Sequence, residues 1–251
     1  MEKELRFHRI FRDDDRSLIV AIDHSIFGQA FPELERTDEV LRKIITGGAD
    51  AVIATLGTIR HFGATLGKNL GVIWSTTYDP RCVETAVKLG VDGIKTTYFG
   101  TVPDERVFEQ INALGLECDR WGMLLLAEIV PAKRVGGRVE VIPQTELVKI
   151  ATRAGAEQGA DIVKTAYTGT PESFRNVIEN IPIPVVILGG AKMDTDVELL
   201  NAVKDSVGAG GSGVAFGRNI WQHKDPISIT RAISAIIHKG TKIEEALDML
   251  H

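Results

Sequence analysis

Gly159-Ala160-Asp161-Ile162-Val163-Lys164 packs a helix stop, a tight turn and the entry to a β-branched run into six residues. The same phrase stands at Gly48-Ala49-Asp50-Ala51-Val52 and at Gly90-Val91-Asp92-Gly93-Ile94-Lys95. A glycine that ends one helix just ahead of a short apolar run is the junction that a repeated β/α unit requires. Outward from these junctions, eight apolar runs follow, at residues 16–23, 51–55, 71–75, 91–97, 123–128, 161–165, 184–188 and 213–216. Helical spacing lies between and after them, at 35–46, 57–66, 80–88, 103–114 (closed by Gly115), 143–158, 171–179, 194–206, 219–222 and 226–238. The basic, glycine-bearing stretch 131–141 reads as a surface loop and a candidate lid. Buried strands alternating with helices imply a parallel sheet. Eight in a chain of this length fit a closed (β/α)8 TIM barrel of the α/β class better than an open doubly wound sheet. The open sheet's dinucleotide-binding form would also need a Gly-x-Gly-x-x-Gly after the first run, which is missing. No composition break marks a linker, so residues 1–251 read as a single barrel domain.

The 251 residues are 44% hydrophobic and 25% charged with a net charge of −5, a composition that supports a large core. The acidic balance argues against nucleic acid as a partner. The charged N-terminus has no secretory apolar region, and no apolar run is long enough for a membrane span. Cys82 and Cys118 lack metal-ligand spacing and fit a reducing compartment. A cytoplasmic protein with no metal and no cofactor is the expectation.

In a barrel the chemistry sits where the strand C-termini meet. The runs end there on Asp23-His24, Lys95-Thr96-Thr97, Glu128, Lys164, Gly189-Gly190 and Gly217-Arg218. Polar residues from so many strands, gathered at one end, are poorly explained by packing. The matched phrases place Lys95 and Lys164 at equivalent strand positions, both expected to point inward. Burial disfavours an ammonium, and a neutral amine can attack a carbonyl to form a Schiff base. The glycines after the seventh and eighth runs, a short helix and the forked cation of Arg218 suit a phosphate group.

Ala21-Ile-Asp-His24, Asp161-Ile-Val-Lys164-Thr, the Gly189-Gly190 pair and Gly217-Arg-Asn-Ile220 together resemble the archaeal-type class I fructose-bisphosphate aldolase family. That group also contains aminodideoxyheptulosonate synthases and an autoinducer-2 phosphate thiolase. The resemblance runs from about Leu18 to Ile237. It implies a TIM barrel with Lys164 as Schiff-base lysine and Asp23 as an acid/base group. It further implies phosphate held by Gly190, Gly217 and Arg218, no metal, and a homo-oligomer. One departure stands out: the family's aldolases carry Tyr-Pro-Arg at the end of strand five, with the tyrosine as proton donor, where this chain has Val130-Pro131-Ala132. Glu128 shares the facing of Val130 and is the candidate replacement, with a raised pKa unless a lysine pairs with it. Lys95 is a second distinctive catalytic candidate.

The expected function is therefore a class I, metal-independent aldolase, an aldehyde-lyase acting on a phosphorylated ketose or related carbonyl compound. Its catalytic candidates are Lys164, Asp23, Glu128 and Lys95, and its substrate or phosphate contacts Gly189, Gly190, Gly217, Arg218 and His24. Thiolase-like acyl transfer through the same lysine, and a non-catalytic sugar-phosphate-binding barrel, are the alternatives.

Overall fold

The computed structural model describes residues 2–28, 30–67, 70–101, 104–136 and 138–250. Eight parallel strands close into a barrel: β1 (Ser17–Ala21), β2 (Ala51–Ala54), β3 (Gly71–Ser75), β4 (Gly93–Phe99), β5 (Leu124–Val130), β8 (Ile162–Thr165), β9 (Val185–Leu188) and β10 (Gly213–Phe216). Around the ring they run β1-β10-β9-β8-β5-β4-β3-β2. Successive side chains of a strand face opposite ways, and the core divides accordingly. Ile19, Ala21, Ile53, Ile73, Leu124, Leu126, Ile162, Val186 and Ala215 fill the interior. The alternate residues, among them Leu18, Val20, Val52, Val72, Ile94, Leu125 and Val163, pack outward against the helices.

Those helices are α2 (Thr37–Gly47), α3 (Leu56–Leu66), α4 (Cys82–Leu89), α5 (Glu105–Trp121), α6 (Thr145–Glu157), α7 (Pro171–Ile178), α8 (Asp196–Gly208), α9 (Arg218–Trp221) and α10 (Pro226–Lys239). Three features depart from the sequence reading. The helix expected to stop at Gly115 runs on to Trp121 and ends at Gly122, whose φ is +61°. Gly115 is instead a contact glycine. A Cβ there would stand 3.1 Å from the carbonyl oxygen of Gly159, so α5 can approach that turn only without a side chain. The expected start of this helix at Pro103 lies outside the described residues. The stretch read as a loop, 131–141, forms an antiparallel hairpin of β6 (Ala132–Val135) and β7 (Arg138–Val141). Its alternation is masked in sequence because the side chains described on these short strands are mostly exposed.

Two helices were not anticipated, α1 (Glu2–Ile10) and α11 (Ile243–Asp248). The first closes the bottom of the barrel, where Ile10 and Phe11 join the interior cluster and Phe7 stacks on Phe11 at 4.6 Å. The cations of this N-terminal segment explain the repeated phrase. Asp50, Asp92 and Asp161 each accept the backbone N–H of a residue on the neighbouring strand: Leu18 at 2.6 Å, Val72 at 3.0 Å and Leu125 at 2.8 Å. Each also pairs with a cation from the N-terminal segment: Arg12 on Asp50, Arg9 on Asp92 at 3.0 Å and Lys3 on Asp161 at 2.8 Å. None of the helices described is long and apolar enough to cross a membrane.

Candidate active site

Alternation along the strands carries the interior pattern into a polar layer at the C-terminal end of the barrel. Ile19 and Ala21 lead to Asp23, Gly93 to Lys95 and Thr97, Leu124 and Leu126 to Glu128, and Ile162 to Lys164. Four charges meet there in a chain of alternating sign. The Lys95 Nζ donates to Asp23 Oδ2 at 2.7 Å and to Glu128 Oε2 at 2.6 Å. The Lys164 Nζ lies 2.6 Å from the other oxygen of Glu128, Oε1. Thr97 Oγ1 completes the set by donating to Glu128 Oε2 at 2.9 Å. Every member of the charge chain is at most 5% exposed. Unpaired, such buried ions would be strongly unfavourable; two of each sign leave no formal excess charge.

Burial raises Glu128, but the fields of Lys164 and then Lys95, together with their hydrogen bonds, outweigh it and hold the carboxyl well below the usual range. Burial likewise opposes ionisation of Asp23, and Lys95 followed by Lys164 overturns it, so Asp23 is also lowered. Lys95 is the converse: burial disfavours its ammonium, while Asp23 and Glu128 push the pKa above the ordinary lysine value. Glu128 is therefore a carboxylate in the resting site. It can accept a proton but has none to donate; a raised Glu128 was expected only without a paired lysine, and here two lysines pair with it. Val130 faces the same way and is fully buried. Sequence reasoning did not assign a role to Thr97, whose hydroxyl is the third donor to Glu128. It also missed Tyr78, which follows β3 and donates to the Thr97 carbonyl at 2.8 Å. Burial pushes the Tyr78 phenol up to about 12 and keeps it a donor.

The ends of β9 and β10 stand beside this layer. Arg218 Nη2 donates to the Gly190 carbonyl at 2.7 Å, while its Nε is buried with no partner. Asn219 ties the two loops together, donating to Gly189 O at 2.9 Å and accepting from the Met193 N–H at 2.7 Å. The glycines differ in purpose. A Cβ on Gly189 would meet Asn219 Nδ2 at 2.8 Å and Phe216 at 2.9 Å, and one on Gly217 would stand 2.4 Å from His24 Cε1. Both are glycine because side chains pack over them. Gly190, with φ +60° and Leu188 as its nearest neighbour at 3.7 Å, is the open one. His24 sits edge-on to Phe31 and Trp221, with ring centroids 5.7 and 5.2 Å away. Burial lowers its pKa to about 4, Asp23 opposing and Lys164, Arg218 and Lys95 assisting, so its imidazole is neutral near pH 7. Among the described residues no group of three or more His, Cys, Asp and Glu side chains is gathered as a metal ion would need.

Residues 17–223 match the DeoC/LacD family aldolases. The chain belongs to this aldolase family. An uncharacterised aldolase of Saccharolobus solfataricus is 30% identical over 98% of both chains. The 2-amino-3,7-dideoxy-D-threo-hept-6-ulosonate synthase of Halobacterium salinarum is 34% identical, covering 98% of this chain and 95% of that protein. An archaeal fructose-1,6-bisphosphate aldolase, solved with its catalytic lysine covalently bound to the carbinolamine intermediate of the substrate, superposes with a TM-score of 0.79. That pair is 25% identical over 94% of this chain and 99% of the other. A Schiff-base-forming fructose-1,6-bisphosphate aldolase gives a TM-score of 0.80 at 26% identity, over 95% and 100% of the two chains. Family and fold together support Schiff-base aldol chemistry for this aldolase.

Proposed function

We propose that Lys164 is the Schiff-base lysine of this aldolase and that Glu128 serves it as base, with a phosphorylated ketose or related carbonyl compound as substrate. The observation that carries this reading is the 2.6 Å contact between Lys164 Nζ and a buried carboxylate that two lysines hold ionised. Glu128 relays a proton from the Lys164 ammonium to the carbonyl oxygen as the amine attacks, giving a carbinolamine still protonated on nitrogen. Loss of water yields an iminium. A carboxylate, Asp23 or the regenerated Glu128, removes the proton of the hydroxyl one carbon beyond the scissile bond. The C–C electrons then pass into the iminium, an aldehyde departs and an enamine remains. Protonation of the enamine carbon and hydrolysis by water release the second product. Lys95 keeps Asp23 and Glu128 ionised between these transfers.

Gly190 and Arg218 are the phosphate contacts in this reading, because the unpartnered Arg218 Nε is a buried donor that a phosphate oxygen would satisfy. Neutral His24 closes the same corner. The buried, unpaired Cys82 and Cys118 suit a cytoplasmic chain acting as one barrel domain. A homo-oligomer remains an expectation of the family resemblance. Val130, buried where the family's phenol would stand, favours thiolase-like acyl transfer as the second reading.

Borohydride reduction in the presence of dihydroxyacetone phosphate tests the lysine assignment. Wild-type protein should gain one covalent adduct by intact mass, and Lys164→Met should gain none while keeping its circular dichroism spectrum. An adduct on the variant would move the nucleophile elsewhere, first to Lys95.

A further inference from the structure

Ser75 is the last residue of β3 and follows Ile73 in strand parity, so its side chain faces the barrel interior. Its register partner on β4 is Lys95, which places it in the polar layer. Only 3% of the residue is exposed, and its Oγ has no hydrogen-bond partner. The hydroxyls on either side are engaged, Thr97 on Glu128 and Thr55 with Thr58 at the start of α3. Leaving a hydroxyl unpaired in a barrel interior is unfavourable, and an alanine there would avoid it.

The ring of strands gives that hydroxyl a counterpart. In the order β1-β10-β9-β8-β5-β4-β3-β2, β9 lies opposite β3 and β10 opposite β4. A ketone whose phosphate rests at the ends of β9 and β10, and whose carbonyl is bonded to Lys164 on β8, directs its remaining carbons across the barrel. On that path they would head towards β3 and β4. Lys164 is itself 5% exposed and Ser75 3%, so a substrate that reaches the lysine must part the side chains over the layer that also holds Ser75.

We propose that Ser75 is a specificity-determining residue whose hydroxyl pairs with a hydroxyl group on the phosphate-distal side of the substrate carbonyl. The proposal rests on Lys164 as the Schiff-base lysine and on phosphate at Gly190 and Arg218. It deepens that reading by naming the side chain that reads the distal hydroxyl of such a ketone.

The probes are dihydroxyacetone phosphate and hydroxyacetone phosphate, which share ketone and phosphate and differ by the distal hydroxyl alone. Borohydride-trapped adduct is measured against concentration for each. Wild-type protein should prefer the dihydroxy compound by on the order of 10-fold, as expected for one buried hydrogen bond. Ser75→Ala should bring that ratio close to one, and Ser75→Cys, similar in size but a weak donor, should do the same. Because the ratio compares two ligands on one protein, a simple loss of stability leaves it alone. A ratio that survives in both variants, or a wild type that traps both compounds equally, overturns the proposal. No adduct with either compound on wild-type protein refutes the Lys164 reading for such ketones, and this proposal falls with it.

Discussion

Replacing Lys95 by methionine removes one ammonium while keeping a stem of similar length, so the perturbation is chiefly electrostatic. In the native site that ammonium is 1% exposed and bonded to Asp23 at 2.7 Å and to Glu128 at 2.6 Å. Its loss leaves Asp23 without a hydrogen-bonded cation and sets two buried carboxylates against the single charge of Lys164. Breaking a buried ion pair from one side typically costs about 3–5 kcal/mol. For a chain of this size each kcal/mol moves Tm by about 2–4 °C, giving an expected fall of roughly 6–20 °C. The pH dependence carries the sharper test. In wild type the folded pKa values of Asp23 and Glu128 lie below their ordinary values. Their contribution is therefore complete above the unfolded pKa values, about 4, and is lost only as pH falls through the folded ones. In Lys95→Met only the more distant field of Lys164 opposes the burial of Asp23; its folded pKa is expected to rise above the unfolded value, so that stability increases as pH falls from 7. The gap between variant and wild type should be widest near about pH 7 and narrow by about pH 5. Urea unfolding at both pH values measures it. A gap under about 1 kcal/mol, or one that does not change with pH, would refute the charge-chain account.

Glu128→Gln removes the carboxylate in contact with Lys164 Nζ and an anionic partner of Lys95. The rate of adduct formation in a borohydride-quenched time course should fall by about 10²-fold or more. Formation at the wild-type rate would assign the proton work to Asp23. Arg218→Ala should weaken phosphorylated ketones by on the order of 2 kcal/mol relative to their unphosphorylated analogues, since a charge-assisted contact is lost. Competition titration reads the difference, and equal weakening of both classes would make Arg218 a structural tie to Gly190.

The strands were legible because each is a short apolar run bounded by turn residues, and their inward faces followed from parity once the repeated phrase fixed the phase. Lys95 and Lys164 could be placed on one side of the wall for that reason. What sequence could not give is distance. The flanking leucines left the protonation state of Glu128 open between a raised carboxyl and a lysine-paired one, and three side chains from β4 and β8 converge on it to make it a carboxylate. Ser75 ended a strand without drawing attention, because an unpaired hydroxyl is a property of its surroundings. Gly115 resembled a helix stop in composition, although its role is the approach of a distant turn. The segment 1–15 looked merely charged. Its pattern of Lys3, Arg9 and Arg12 acquires meaning only beside the three aspartates at the bottom of the barrel.

Those aspartates have a consequence at the opposite end of the molecule. Each holds the amide of the second residue of an adjacent strand, so the seams between β1 and β2, β3 and β4, and β5 and β8 are each indexed by one side chain. Asp92 and Asp161 stand three residues before Lys95 and Lys164, in a segment with no slack between clasp and amine. A slip of one residue in either strand would turn its lysine to the helix-packed outer face. It would also pull the aspartate off its amide and away from its cation on the N-terminal segment. The same clasp that closes the floor thus sets which way the buried lysine points, and a misaligned strand loses its anchor and its place in the charge chain in a single step.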